Sequence, residues 1–290
     1  MAVRARRARV AGALRLIGAL TLIAPVAVAG CGSGPARTAP GMSSGGRGEG
    51  IAYWTRDRFL GATPLGQHQP KQARTAISAP RVGALFYHDL QGGHFCTASV
   101  VDSPHHNLLV TAAHCVHGGK DAGYRQDIVF VPGYRQGQAP YGVWQPGAIT
   151  VDDRWTRSSD PDLDVAFVAL QPNDNKEVGE VLGANLLDTG QGTHLRVRVT
   201  GYPDDGSDPI TCSNWTTAQS PTQLRFACGG YASGTSGSPW LTAFDPTTRT
   251  GQIVGVIGGY QEGGDTPQVS YSPYFGADVH NLHQQALAKS

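Results

Sequence analysis

The sequence has little charge. Lys, Arg, Asp and Glu together make up 16% of its 290 residues, whereas 40% are hydrophobic. This composition excludes a long coiled coil and a highly charged disordered chain, because both depend on a large charged fraction. The formal net charge is only +1, and five arginines among the first 30 residues account for that sign. Because nucleic-acid binding needs a basic face, we expect no nucleic-acid partner.

The sequence also lacks a hydrophobic run long enough to span a membrane. Its most apolar segment, residues 16–29, is shorter than the roughly 20 residues of a transmembrane helix. It follows an arginine-rich start, so residues 1–30 are predicted to be a signal peptide. The segment ends in Val28-Ala29-Gly30-Cys31, which resembles a bacterial lipoprotein signal. We expect lipidation at Cys31, a membrane anchor and a location on the extracellular face of the cell membrane. Ordinary secretion, with Cys31 left as a free thiol, is the alternative.

Cysteine is scarce and its number is odd, with five in the chain. Apart from Cys31, the cysteines are Cys96, Cys115, Cys212 and Cys228. An exported protein can join these four as disulfides. Four cysteines allow three connectivities. Local closure, Cys96 with Cys115 and Cys212 with Cys228, is the simplest.

The chain divides into three parts. Residues 31–76 contain the lipidation site, a Gly-, Ser- and Pro-rich stretch and a short apolar patch, so they are interpreted as a flexible tether or a pro-segment. From residue 77 onward, short apolar runs alternate with turn residues. The runs cover residues 82–87, 97–101, 108–111, 128–131, 165–170, 195–200 and 253–257. They predict an all-β barrel or sandwich over residues 77–290, with one helix near residues 279–289.

Three segments contain residues suited to catalysis. His114 follows an apolar strand, Asp164 opens another, and Ser236 lies in a glycine-rich turn. Nucleophilic acyl transfer needs a Ser, a base that activates it and a carboxylate that orients the base. Each residue alone is typical of a turn, a strand end or a solvated strand entry. Together, and in this order, they favour a catalytic triad.

These segments resemble the chymotrypsin-like (trypsin-like) serine proteases, in particular the bacterial secreted branch that includes the glutamyl endopeptidases. The resemblance depends on Thr-Ala-Ala-His-Cys at 111–115, Gly-Thr-Ser-Gly-Ser-Pro at 234–239 and Phe-Cys-Thr-Ala-Ser-Val-Val at 95–101. It implies two six-stranded antiparallel β-barrels with a short C-terminal helix, and a Cys96–Cys115 disulfide. It also implies these roles: His114 as general base, Asp164 as the residue that orients it, Ser236 as nucleophile, and the backbone N–H groups of Gly234 and Ser236 as the oxyanion hole.

The same resemblance points to five candidate substrate-pocket residues, namely Gly230, Tyr231, Gly258, Gly259 and Tyr260. Gly230 stands where the trypsin branch has the Asp that binds basic side chains, so cleavage after Lys or Arg is not favoured. The stretch 256–260 lacks the His that glutamyl endopeptidases use in their acid-binding pocket. We therefore expect a small or apolar side chain in the pocket. Gly258–Gly259 is either a strand edge that pairs with an extended substrate or a simple turn.

The sequence thus predicts a secreted or surface-tethered, monomeric serine endopeptidase that acts on polypeptides. No HExxH motif and no EF-hand spacing is present, so we expect no metal and no cofactor. A catalytically inactive binding protein with the same fold, at the cell surface, is the first alternative. An esterase with the same triad is the second, although α/β-hydrolases have the order Ser, Asp, His.

Overall fold

A computed structural model of the chain describes residues 71–77, 79–89, 91–204 and 208–290. The predicted signal peptide, Cys31 and most of the predicted tether lie outside the described residues. No helix among the described residues is long and apolar enough to cross a membrane. The described residues are arranged mainly as two antiparallel sheets.

The first sheet has six strands in the order β5-β2-β3-β4-β7-β6. They are β2 (Val82–Asp89), β3 (Gly92–Val101), β4 (Leu108–Thr111), β5 (Gln126–Pro132), β6 (Pro146–Val151) and β7 (Ala166–Leu170). Strand β4 is buried along its whole length because both of its faces are covered. Leu109 packs into the core of this sheet, whereas Leu108 and Val110 pack into a second core that includes Ile253 of the other sheet. Burial on both faces explains the uninterrupted apolar run in the sequence.

The second sheet has eight strands, with β14-β11-β10-β9-β12-β13-β8 in that order and β1 paired to β10. They are β1 (Arg74–Thr75), β8 (Leu186–Leu187), β9 (Arg196–Gly201), β10 (Ile210–Ser220), β11 (Gln223–Ala227), β12 (Pro239–Asp245), β13 (Thr250–Val256) and β14 (Val269–Pro273). Strands β9 to β14 are the six antiparallel strands of the predicted second barrel, and the short strand β8 joins β13 in parallel. The predicted all-β architecture of two six-stranded units is confirmed.

Three helices complete the described fold: α1 (Asp153–Ser158), α2 (Val178–Leu182) and α3 (Ala277–Leu287). Helix α3 is the predicted C-terminal helix. It buries Val279, Leu282 and Ala286, which lie three and four residues apart and therefore share one face. This face packs against the core shared by the two sheets.

Two disulfides cross-link the described chain, with the pairing that the sequence predicts. Cys96 of β3 is joined to Cys115, and Cys212 of β10 is joined to Cys228 just after β11. Each closes a short loop, of 19 and 16 residues. In the chain-entropy view, each contributes about 3 kcal/mol by restricting the unfolded chain.

The end of the predicted tether is part of the second sheet. Arg74 of β1 lies opposite Thr211 of β10. Just before it, the Ala73 N–H donates to the Gly229 carbonyl at 2.8 Å, and the Gly229 N–H donates to the Lys71 carbonyl at 2.6 Å. Lys71, Ala73 and Arg74 belong to the segment 31–76 that the sequence assigns to a tether or pro-segment, and they pair with the second sheet.

Candidate active site

His114 is fixed in position by the chain around it. It lies in a 3₁₀ turn, Ala113–Cys115, which begins two residues after β4 ends. The disulfide of Cys115 ties this turn to β3. The guanidinium of Arg125 donates to the His114 carbonyl from Nη2 at 3.3 Å and from Nε at 3.4 Å. The His114 side chain is 13% exposed.

Asp164 orients the imidazole of His114. Its Oδ2 lies 2.8 Å from His114 Nδ1, and its Oδ1 accepts the His114 backbone N–H at 2.9 Å. The Gly259 N–H donates to Oδ2 at 2.8 Å. A carboxylate that is fully buried, as this one is, needs such paired donors to offset the loss of water.

Two other aspartates close to Asp164 in sequence have different partners. Asp160 caps the 3₁₀ turn Pro161–Leu163 by accepting the Asp162 N–H. Asp162 Oδ1 accepts from Gln223 Nε2 at 2.7 Å. Neither carboxylate bonds to His114, so Asp164 is the one that contacts the imidazole.

The pKa values of the pair shift in opposite directions. Burial alone lowers the pKa of His114, but the charge and hydrogen bond of Asp164, together with the charge of Glu262, raise it above its usual value. Burial alone raises the pKa of Asp164, but the charge of His114 and hydrogen bonds, including that from Gly259, lower it overall. Both shifts favour a charged carboxylate beside an imidazole that readily accepts a proton.

Ser236 borders the same cavity as His114. Its turn is attached to β3 and to the residue that follows β13, since the Ser236 carbonyl accepts from the Thr97 N–H and the Gly237 N–H donates to the Ile257 carbonyl, each at 2.7 Å. No hydrogen bond joins Ser236 Oγ to His114 Nε2 in the described residues. Such contacts are often long in a substrate-free site and shorten when substrate binds.

The turn before Ser236 leaves two N–H groups free. Within the described chain, neither the Gly234 nor the Ser236 N–H donates to a protein acceptor, whereas the Thr235 N–H between them donates to the Ala232 carbonyl at 3.2 Å. Gly234 has φ +87°, and a Cβ there would lie 2.7 Å from the Tyr202 carbonyl oxygen. Only glycine fits this conformation without strain. Two unpaired N–H groups beside a Ser are typical of an oxyanion hole.

The cavity has a volume of about 630 Å³ and an acidic border. Residues 231–236 form one wall and residues 261–267 form another. Asp204, Glu262 and Asp265 contribute carboxylates, and no Lys or Arg is found among the described residues that border the cavity.

The predicted pocket residues lie in different places. Tyr231 borders the cavity, whereas the other four do not.

Strand β13 ends at Val256, and Gly259 has φ +79° with its N–H directed to Asp164. The Tyr260 N–H donates to Gln223 Oε1 at 3.0 Å. Gly258–Gly259 therefore forms a turn next to the His114–Asp164 pair, which is the simple turn of the two sequence alternatives. Its N–H groups are bonded within the protein and are not free to pair with a substrate strand. A Cβ added at Gly230 would lie 3.4 Å from the Ala73 side chain, in the segment just before β1.

One group of potential metal ligands occurs among the described residues, namely Cys96, His114 and Cys115. Both sulfur atoms belong to the same disulfide. They are therefore not available as thiolates, the form in which cysteine binds metals.

Three further residues lie next to the site although no sequence motif indicates them, namely Arg125, Gln223 and Glu262. Gln223 links two turns, because its Nε2 donates to Asp162 and its Oε1 accepts from Tyr260. Glu262 borders the cavity. None of the three lies in a local motif, and each reaches the site only through the tertiary fold.

A family model described as a trypsin-like peptidase domain matches residues 96–256, just over half of the chain. The chain belongs to this trypsin-like peptidase family. The chymotrypsin-like resemblance predicted from the sequence is thereby confirmed. None of the curated proteins compared with the chain matches it.

Solved structures of proteases share the fold of this trypsin-like peptidase. The protease Anisep from Arthrobacter nicotinovorans superimposes with a TM-score of 0.67 at 23% identity, over 74% of this chain and 99% of its own. The thermostable serine protease AL20 from an extremophilic microorganism gives 0.66 at 25% identity, over 73% and 98%. A Glu endopeptidase in complex with MPD gives 0.62 at 20% identity, over 76% and 98%. This fold supports a serine protease in general.

Proposed function

We propose that the protein is a secreted or surface-tethered serine endopeptidase that hydrolyses peptide bonds through Ser236, His114 and Asp164. The observation that carries this proposal is the 2.8 Å contact between His114 Nδ1 and the buried Asp164, on a cavity that Ser236 also borders. Unpaired N–H groups of Gly234 and Ser236 add the donors that acyl transfer requires.

In the proposed mechanism, the Asp164 carboxylate accepts the Nδ1–H of His114, which leaves Nε2 as the free base. As Ser236 Oγ attacks the peptide carbonyl, Nε2 takes its proton and the oxyanion is stabilised by the N–H groups of Gly234 and Ser236. His114 then donates that proton to the leaving amine. In the second half, His114 removes a proton from water as the water oxygen attacks the acyl carbonyl, and it then returns that proton to Ser236 Oγ as the bond to the acyl group breaks.

The electrostatics of the cavity favour substrates without a negative side chain at the cleavage site. Three carboxylates border the cavity, and no Lys or Arg opposes them among the described lining residues. A negatively charged substrate side chain is repelled by such a field, whereas a neutral or positive one is not. We therefore propose that acidic side chains are discriminated against. The Glu endopeptidase that shares the fold is named for an acidic residue, and that preference is not carried over to this chain.

The proposal is tested by digestion of a denatured protein with the purified exported chain, followed by identification of the new peptide termini. We expect cleavage that Ser236→Ala and His114→Ala both abolish, at sites with few acidic side chains. Digestion that survives Ser236→Ala would contradict the assignment of the nucleophile.

A catalytically inactive binding protein is the second candidate. It is favoured by Tyr231, which is buried at the cavity and donates to the Val199 carbonyl at 3.0 Å. A folded wild-type chain that binds peptides without cleaving them would support this candidate.

Export and tethering form a separate part of the proposal. The two disulfides favour an oxidising, extracytoplasmic location. The sequence around Cys31 supports a lipid anchor. Growth of the producing cells with an alkyne-labelled fatty acid tests it, because wild-type chain should incorporate the label and Cys31→Ser should not. An unlabelled wild-type chain would favour ordinary secretion.

A further inference from the structure

One surface of the second sheet is basic, although residues 71–290 as a whole contain 14 basic and 20 acidic residues. Arg196 and Arg198 alternate with the buried residues Val197 and Val199 along β9. Because side chains alternate between the two sides of a strand, both guanidinium groups lie on the outward side.

The neighbouring strand β10 extends this outward surface. Arg198 lies opposite Ser213, and Arg196 lies opposite Trp215. Residues that face each other across antiparallel strands share a side of the sheet. Trp215 is 50% exposed and stacks on the His194 ring at 4.7 Å. An indole with one apolar, half-exposed face thus lies beside a cation.

The first described residues add two further cations. Arg74 lies opposite Thr211 of β10 and borders the same depression as Arg198. Lys71 Nζ donates to the Ser213 carbonyl at 3.1 Å. We call this surface the basic face. It comprises Lys71, Arg74, Arg196, Arg198 and Trp215.

Among the described residues, the cations of the basic face lack counter-charges. None of the four forms an ion pair with a carboxylate of the described residues. Arg198 also lies over the Phe244 ring, 4.7 Å from its centroid. Burial, followed by the positive charges of Arg74 and Arg249, lowers the pKa of Arg198. Like charges held together in this way are stabilised when an anion binds among them.

Two depressions on the basic face provide space for anionic groups. One has a volume of about 460 Å³ and the other of about 390 Å³, and both are bordered by Arg198 and Ser213. Guanidinium groups at their edges are suited to phosphate, which they bind through paired N–H donors.

We propose that the basic face docks the domain onto a membrane surface that contains anionic phospholipids. This inference rests on the proposed tethering, since Cys31 lies only 40 residues before Lys71, the first described residue and a member of the face. Cations attract anionic headgroups, and tryptophan is favoured at the membrane–water interface. The combination of four unpaired cations with an exposed indole fits a lipid surface better than a soluble anion.

Docking in this orientation leaves the catalytic cavity accessible. Tyr231, which borders the cavity, packs with Val199 in the core on the inward side of β9. The basic face lies on the outward side of the same strand. The strand layer therefore separates the docked surface from this wall of the cavity.

The experiment uses the mature chain from residue 31 onward carrying Cys31→Ser, which lacks both the apolar signal segment and the lipidation site, so that binding depends on the rest of the protein surface. Sedimentation is measured with vesicles of equal phosphatidylglycerol and phosphatidylcholine, and with vesicles of phosphatidylcholine only. We expect binding to the anionic vesicles. Arg74→Gln with Arg196→Gln should lower the partition coefficient roughly 30-fold, which is about fivefold per cation. The control, Arg157→Gln with Lys176→Gln, removes equal charge from exposed positions elsewhere and should retain most of the binding.

A second comparison separates a membrane from a soluble polyanion or a nucleic acid. Trp215→Ser should weaken vesicle binding but leave binding to inorganic polyphosphate unchanged. Equal losses in the basic-face and control pairs, or binding to polyphosphate or DNA without binding to vesicles, would overturn the proposal. Peptide hydrolysis is measured on the same samples, so a failure of catalysis is seen independently of vesicle binding. Fatty-acid labelling of the wild-type chain reports independently on the tether.

Discussion

Arg125 donates two hydrogen bonds to the backbone carbonyl of His114, at 3.3 and 3.4 Å. The same guanidinium lies over the Tyr87 ring, 5.1 Å from its centroid. Arg125 therefore connects the turn of the proposed base to β2. Its positive charge also lowers the pKa of His114, in opposition to Asp164 and Glu262, which raise it. The basicity of His114 thus depends on charges of both signs.

Arg125→Gln should move the acid limb of the pH profile upward. Without the positive charge, the pKa of His114 rises further, so the neutral base is lost at a higher pH as the solution is acidified. We expect the acid limb of kcat/KM to shift to higher pH. Arg125→Lys retains the charge and serves as the control. A loss of activity with no shift would indicate that Arg125 only holds the turn.

Glu262→Gln should have the opposite effect. Glu262 raises the pKa of His114, so its neutralisation lowers that pKa and extends activity to lower pH. The same change removes one of the three carboxylates that border the cavity, and it should improve cleavage at acidic side chains relative to neutral ones. Profiles of kcat/KM with paired peptides that differ only in Glu and Gln measure both effects. An upward shift of the acid limb would contradict this account.

Asp164→Asn should lower kcat by about 10⁴, because an amide that donates to Nδ1 stabilises the wrong tautomer of His114. Asp162→Asn is the matched control, since Asp162 accepts from Gln223 and does not contact His114. Its kcat should change little. Comparable losses in the two variants would mean that the local turn, rather than the contact with His114, determines activity.

Gly234→Ala tests the oxyanion hole. A Cβ at this position would collide with the Phe95 ring and the Tyr202 carbonyl. The backbone must shift to relieve this collision, and the shift displaces the free N–H of residue 234. We expect kcat to fall by about 10²–10³ with a smaller change in KM. Gly137→Ala is the control, because Gly137 has a similar φ of +78° but no atom within 4 Å of a new Cβ. The control should carry the same backbone strain and retain its activity.

The sequence predicts those elements whose signals are local. Strand β4 is buried on both faces and therefore forms a continuous apolar run. The His114 and Ser236 segments contain residues whose identity follows from their own backbone, such as Gly234 at positive φ. Strand β10 contains polar and Thr-rich sequence, because much of its outward side faces solvent, and it was not among the predicted runs.

Features that depend on distant segments were not predictable in the same way. Gly258–Gly259 forms a turn because Asp164 and Gln223 accept the N–H groups of Gly259 and Tyr260, and both acceptors come from far along the chain. The basic face is hidden in the near-neutral total charge, since its cations come from separate strands and meet only through the register of β1, β10 and β9.

Labelling with a fluorophosphonate probe tests the activated nucleophile most directly. The probe reacts with a serine whose proton is removed by a neighbouring base, and peptide mass spectrometry identifies the labelled residue. The proposed mechanism predicts labelling at Ser236 that is abolished by Ser236→Ala, strongly reduced by His114→Ala and retained by Asp162→Asn. A folded wild-type chain that is not labelled, or that is labelled at another serine, would contradict it.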